Sequence, residues 1–141
     1  MYERVIIPTD GSKIAEKGVL EGLDVADRLD IPAYSLYVLD MDKYEELKGD
    51  KAHRRERDTM QKTAEKALRW VRKKAHDLGA DITTEMVIGK PYERIVQKAG
   101  KNDVIYMSSH GASGLKEVLL GSTTQRVLKN AGCTVVVVKN K

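Results

Sequence analysis

The sequence predicts an α/β fold with an open parallel sheet. Five short β-branched runs alternate with segments of helical period, and that alternation builds βαβ units whose sheet is covered on both faces. The runs after the first and fourth strands are rich in Gly, Ser and Asp, as at Thr9-Asp10-Gly11-Ser12 and Ser108-Ser109-His110-Gly111. The second of these leads, nine residues later, into Gly121-Ser122-Thr123-Thr124, where a helix begins. A strand, a small-residue loop and a helix N-terminus in that order favour an anion, because free backbone N–H groups and the helix dipole point the same way.

The elements follow in order. Arg4-Val5-Ile6-Ile7-Pro8 is a short buried strand closed by proline. Gly11 suits a positive φ in the turn after it, and Ser12 suits a helix cap. Ala15, Val19, Gly22, Ala26 and Leu29 recur at helical spacing. Gly18 and Gly22 are poor helix formers, so their smallness points to close packing against the sheet. Ile31 to Leu39 is the second strand, with Asp40 at its end. Met41 to Asp58 is a charged surface insertion, interrupted at Gly49-Asp50, with room for one helical turn before the next helix. From Met60 onward, Ala64, Ala67, Leu68, Val71, Ala75 and Leu78 form one apolar stripe, with Trp70 packing at its flank and Gly79 as the stop.

Ile82 to Val87 is the third strand. Pro91 opens a short helix through Tyr92, Ile95, Val96 and Ala99, which Gly100 ends. Asp103 to Met107 is the fourth strand. Leu115, Val118 and Leu119 suggest a helical turn inside the loop that follows. Ser122 and Gln125 have capping-box spacing ahead of Val127, Leu128 and Ala131. Gly132 stops that helix, and Thr134 to Val138 is the last strand.

The totals bound the function. A chain of 141 residues is one domain, 1–141, and a chain of that size buries roughly 68–70% of its unfolded surface. The single Cys133 excludes a disulfide framework and reads as inert core. No signal peptide precedes the first strand and the apolar runs are far too short for a membrane span, so a cytoplasmic protein with no membrane partner is expected. The 25 Lys and Arg against 21 Asp and Glu give a formal charge of +4, of mixed sign along the helices. That reads as a solvated surface, and with seven aromatics in all no nucleic-acid partner is expected. A P-loop signature, a Gly-x-Gly-x-x-Gly after the first strand and a carboxylate cluster for a metal are all missing.

These residues resemble the universal stress protein family over the whole chain. Val5-Ile6-Ile7-Pro8-Thr9-Asp10-Gly11-Ser12 is similar to that family's first strand and loop, Tyr37-Val38-Leu39-Asp40 to its second strand end, and Val87-Ile88-Gly89-Lys90-Pro91 to its third. The family's ATP-binding branch carries Gly, two residues, Gly, nine residues, then Gly and Ser or Thr. Here that register falls on Ser108, Gly111, Gly121 and Ser122, with Ser108 in place of the first glycine. If that position takes a positive φ, serine is disfavoured there.

The resemblance implies a Rossmann-like fold of the adenine nucleotide alpha hydrolase type, with strand order 3-2-1-4-5. It implies an ATP or AMP site whose adenine end is held by Asp10 and the backbone of Val38, and whose ribose and phosphates are held by Gly111, Gly121, Ser122 and Thr124. Pro8, Thr9, Met107, Ser108, His110 and Thr123 complete that site. Any Mg²⁺ would arrive with the phosphates. A homodimer through the last strand, 134–139, is implied too, and an apolar edge strand invites such a partner. Three functions fit: a nucleotide-dependent stress-response module, an interaction protein without nucleotide, and a slow ATPase. Asp10 serves equally as a turn residue. His110 is the one candidate base, and no orienting carboxylate accompanies it in a Ser–His–Asp order.

Overall fold

A computed structural model describes residues 1–47, 53–110 and 120–140. Its elements are β1 (Arg4–Pro8), α1 (Ala15–Leu29), β2 (Ala33–Asp40), α2 (Met41–Glu46), α3 (Arg54–Leu78), β3 (Ile82–Gly89), α4 (Pro91–Lys98), β4 (Asp103–Ser108), α5 (Ser122–Asn130) and β5 (Thr134–Val138). The five strands are all parallel, in the order β3-β2-β1-β4-β5. The expected strands and the four principal helices are all present, with ends shifted by a residue or two, except that α3 starts at Arg54, well before the stripe read from Met60. Within Met41 to Asp58, α2 supplies the expected helical turn on the surface and buries no residue, and α3 begins at Arg54. The helical turn expected at Leu115, Val118 and Leu119 lies outside the described residues.

Successive residues of a strand face opposite sides, so the apolar runs of the central strands feed two cores. Val5, Ile7 and Val104 pack under α1 and α3 with Val19, Leu23, Val71 and Ala75. Ile6, Leu36, Ile105 and Met107 pack under α4 and α5 with Ile95 and Val127. β1 sits in the middle, where Val5, Ile6 and Ile7 are completely buried. The stripe expected along α3 is realised at Ala64, Leu68, Val71 and Ala75, whereas Leu78 in the last turn is exposed. Gly79 closes that helix at φ 78°. Cys133 is half-buried against the second core, and burial pushes its thiol pKa up.

Two contacts hold β1 and β4 side by side. At the start of the strands Arg4 and Asp103 are register partners. The Arg4 guanidinium donates to Asp103 Oδ2 at 2.8 Å and Oδ1 at 3.3 Å, and also to the Lys98 carbonyl at 3.0 Å. Asp103 is buried and accepts a further bond from Gly100 N–H at 2.7 Å, so its charge is fully partnered. Higher up, α1 lies directly on the strands. A Cβ at Gly18 would stand 3.0 Å from Ser108 N and 3.3 Å from Met107 C, and one at Gly22 would stand 2.9 Å from Ile7 Cδ1. Gly18 is therefore small because the helix touches strand backbone, and Gly22 because it lies on the Ile7 and Tyr106 side chains.

Gly18→Ala sets two effects against each other. In a free helix alanine would gain about 1 kcal/mol over glycine. Here the methyl meets strand backbone that cannot rotate away, and overpacking of that kind costs about 1–3 kcal/mol. Urea unfolding of the variant should therefore show a net loss of stability. A gain of about 1 kcal/mol would mean that the close approach is not a constraint.

Candidate functional site

The order β3-β2-β1-β4-β5 reverses direction between β1 and β4, which is where open α/β sheets form a crevice at their carboxyl ends. The loop after β1 is a built turn. Gly11 takes φ 77°, and its N–H donates to Thr9 Oγ1 at 3.1 Å. Asp10 Oδ1 accepts from Ser12 N–H at 2.9 Å and from the Ser12 hydroxyl at 2.6 Å. Ser12 Oγ accepts in turn from the N–H of Ala15, the first residue of α1, at 3.2 Å, although the N-cap position expected of Ser12 falls on Ile14, which makes no side-chain cap bond. Asp10 thus does serve the turn, and its carboxylate stands exposed at the crevice while doing so.

β2 runs past the end of β1. The β1 pairing stops at Pro8 opposite Leu36, while β2 and β3 stay paired up to Asp40 opposite Gly89. The Leu36 carbonyl accepts from Thr9 N–H at 3.0 Å, so Leu36 turns its backbone groups towards β1. Val38, two residues on, turns the same way. No β1 residue is paired with it, so its N–H and C=O face the crevice. Asp40 ends the strand and caps α2, accepting from Asp42 N–H at 3.0 Å.

The loop after β4 is closed on itself. Ser109 N–H donates to the Val138 carbonyl at 3.0 Å, and the Ser109 carbonyl accepts from Gly121 N–H at 2.8 Å. The Thr124 hydroxyl donates to the Ser108 carbonyl at 2.9 Å, and the Ser108 hydroxyl to the His110 carbonyl at 2.7 Å. Ser109 Oγ lies 3.0 Å from His110 Nδ1. These bonds bring the end of β4 and the start of α5 together. The first turn of α5 holds no acidic residue, so nothing in it offsets the positive end of the helix dipole. Ser108 has no positive φ, which removes the expected backbone objection to a serine there.

Ser122 is not the cap that the capping-box spacing implied. Gly121 holds the N-cap position with φ −61° and ψ 155°, Ser122 is the first helical residue, and Gln125 Nε2 donates to the Leu120 carbonyl at 2.6 Å. With Gly121 as the N-cap, the residue at the third helical position is Thr124 and not Gln125, so the box is out of register.

A cleft of about 520 Å³ opens between these loops. Pro8, Thr9, Asp10, Val38, Met107, Ser108, His110, Thr123 and Thr124 all line it. Ser122 and Gly121 are not among its lining residues, Ser122 being exposed and Gly121 buried in the cap, and Gly111 lies outside the described residues. The sequence did not signal the remaining wall. Asp40 and Lys43 at the start of α2, and Thr59, Met60 and Thr63 of α3, line the cleft as well. Asp40 ahead of Asp42 was a capping signal for α2, and Thr59, Met60 and Thr63 recur at helical spacing beside the apolar stripe. α2 is strapped to α3 by Gln61 Nε2 donating to Tyr44 Oη at 3.1 Å and by Arg57 donating to the Leu47 carbonyl.

Tyr37 also lines the cleft, and burial, with the Asp10 carboxylate adding to it, pushes its phenol pKa up, so it stays a neutral hydroxyl. Among the described residues no three His, Cys, Asp or Glu side chains gather as a metal set. No helix among them is long and apolar enough to cross a membrane.

A parallel five-stranded sheet with this order and a crevice at its reversal point defines a Rossmann-like α/β protein. Within that class, the universal stress protein family model matches residues 1–139, and the chain belongs to that family. A universal stress protein of Methanocaldococcus jannaschii, MJ0531, is 36% identical over 141 residues, covering 99% of this chain and 83% of the relative. A second from that organism, MJ0577, is 30% identical over 163 residues, covering 100% of this chain and 97% of the relative. The solved structure of MJ0577 matches with a TM-score of 0.83 at 32% identity, covering 100% of this chain and 98% of that one. Universal stress protein UspA from Lactobacillus plantarum matches with a TM-score of 0.83 at 26% identity, covering 97% of each chain.

Thr124→Val tests the tie between α5 and β4. It keeps the shape and leaves the Ser108 carbonyl without its hydroxyl donor, which should cost about 1–2 kcal/mol. Chemical denaturation reads the loss, and an unchanged midpoint would mean that the bond does not hold the helix start in place.

Proposed function

We propose that this protein binds an adenine nucleotide, ATP or AMP, in the cleft between the loops after β1 and β4, and acts as a nucleotide-dependent regulatory module of the stress response. The observation that carries the reading is convergence. Nine side chains or backbone segments singled out from a pattern of motifs scattered along the chain line one cleft. The cleft's volume is in the range of small-molecule sites. Asp10 and the outward-facing backbone of Val38 suit the adenine and ribose end. The first turn of α5, whose Thr123 and Thr124 line the cleft, suits phosphate, with Mg²⁺ accompanying it. Two proteins of this fold were solved in complex with cAMP and with dAMP, at 22% and 19% identity to this chain. What those two lend is the fold alone.

A reading as a slow ATPase draws on one contact, Ser109 Oγ beside His110 Nδ1 at the cleft wall. The reading as an interaction protein without nucleotide drew on Ser108, and the ordinary backbone there weakens it.

Calorimetry with ATP and with AMP is the deciding measurement. The wild-type protein should bind at or below millimolar nucleotide. Gly121→Asp, which puts a carboxylate at the α5 N-terminus where phosphate would sit, should lower the affinity by at least about a hundredfold, the loss of one charge-assisted contact plus a repulsion. No heat of binding to the wild-type protein at millimolar nucleotide would end the proposal.

We also propose a homodimer through β5. It is an edge strand of the sheet with the sequence Thr134-Val135-Val136-Val137-Val138, and an unpaired apolar edge is a template for a second copy. Sedimentation equilibrium at micromolar concentration should give twice the 15.8 kDa chain mass. A species at the chain mass across the whole concentration range would refute it.

A further inference from the structure

The chain's positive charge is gathered on one helix. α3 holds nine Lys and Arg against four Asp and Glu, a surplus of five, while the whole chain carries +4. The signs are mixed along this helix as expected, but the surplus lies here, and the rest of the molecule is close to neutral. Within α3 the charges are sorted further. At 100° per residue, Arg55, Lys62, Lys66, Arg69 and Lys73 fall in a strip about 60° wide. That strip lies opposite the buried Ala64, Leu68, Val71 and Ala75. It contains no acidic and no apolar residue, and at 1.5 Å per residue it runs for about 27 Å. All five residues are exposed. None of their side chains makes an ion pair or hydrogen bond among the described residues. The cationic residues that do find partners, such as Arg57, Arg72 and Lys74, stand off the strip.

We propose that this strip docks the protein on an anionic lipid bilayer, by electrostatic adsorption and without insertion. Clusters of four to eight Lys and Arg on a helix are enough for such binding, which acts within about a Debye length of the surface. The shape of the charge pattern selects a flat partner over a grooved one. Asp58 and Glu65 stand roughly 50–70° to one side of the strip's centre and Asp77 about 50° to the other. A plane tangent to the helix meets the five cations and leaves those carboxylates behind. The groove of a nucleic-acid duplex embraces a helix from both sides and would set its phosphates against them. With no apolar side chain on the strip, the contact is reversible by salt. The same helix lines the cleft through Thr59, Met60 and Thr63, so the docked face and the ligand site share one element.

The test is co-sedimentation of the full chain with phosphatidylcholine vesicles, with and without about 30% phosphatidylserine, at roughly 50 mM and 500 mM salt. The wild-type protein should bind only the anionic vesicles and leave them at the higher salt. The triple variant Lys62→Gln, Lys66→Gln, Arg69→Gln should lose about a hundredfold in partitioning, from roughly fivefold per cation. A second triple variant, Lys90→Gln, Lys101→Gln, Lys129→Gln, removes the same charge elsewhere on exposed positions and should keep most of the binding. Thermal unfolding of both variants verifies the fold. No binding by the wild-type protein, or equal losses in the two triple variants, would overturn the proposal. So would tighter binding to a DNA duplex than to vesicles at matched phosphate concentration.

Discussion

Where β1 lies against β4, the foot of the sheet is pinned by Arg4 and Asp103 and the upper part by α1, whose Gly18 touches the backbone of Met107 and Ser108. Both contacts are demanding. Asp103 is a buried charge that is tolerable only because the guanidinium and the Gly100 N–H surround it. A methyl at Gly18 would press on the strand backbone at 3.0 Å. Together they put the carboxyl ends of two strands distant in sequence beside each other. Everything at the candidate site follows from that neighbourhood, because the loops after β1 and β4 carry the small and polar residues.

The site is built mostly from backbone. β2 outlasts β1, so the polar groups of Val38 lack a strand partner. The closure of Ser109 on Gly121 and Val138 positions the start of α5, and Thr124 ties it to Ser108. Side chains such as Asp10 and Ser108 are engaged in holding the turns they belong to. Turn-forming and ligand-facing roles therefore coincide in the same residues. Asking whether Asp10 is a turn residue or a site residue poses a choice that the fold does not make.

α3 joins features that look unrelated in the sequence. Its apolar face closes one core, its first turns wall the cleft, and its outer face concentrates the charge. The helix can carry all three because its period separates them around its circumference. The Met41 to Asp58 stretch shows why the wall was hard to read. α2 buries no residue and is held by side-chain contacts to α3, so it leaves no apolar period behind.

The sequence by itself determined the kind of fold. β-branched runs, helical stripes, Pro91 at a helix start and Gly79 at a helix end are local preferences, and the elements appeared where those preferences lay. It also carried the motif residues of the site, because turns and helix starts demand particular side chains in short range. The strand order came from resemblance, since no local preference encodes which strand neighbours which. The tertiary structure alone decided three things. It placed the N-cap on Gly121, whose N–H is held by the Ser109 carbonyl just past β4 and whose own carbonyl accepts the first helical bond from Gln125. It removed the objection to Ser108, because the strand end leaves that residue in ordinary backbone. It turned the cationic strip of α3, which the helical period sets, outward to solvent, because Ala64, Leu68, Val71 and Ala75 on the opposite face lie on the core.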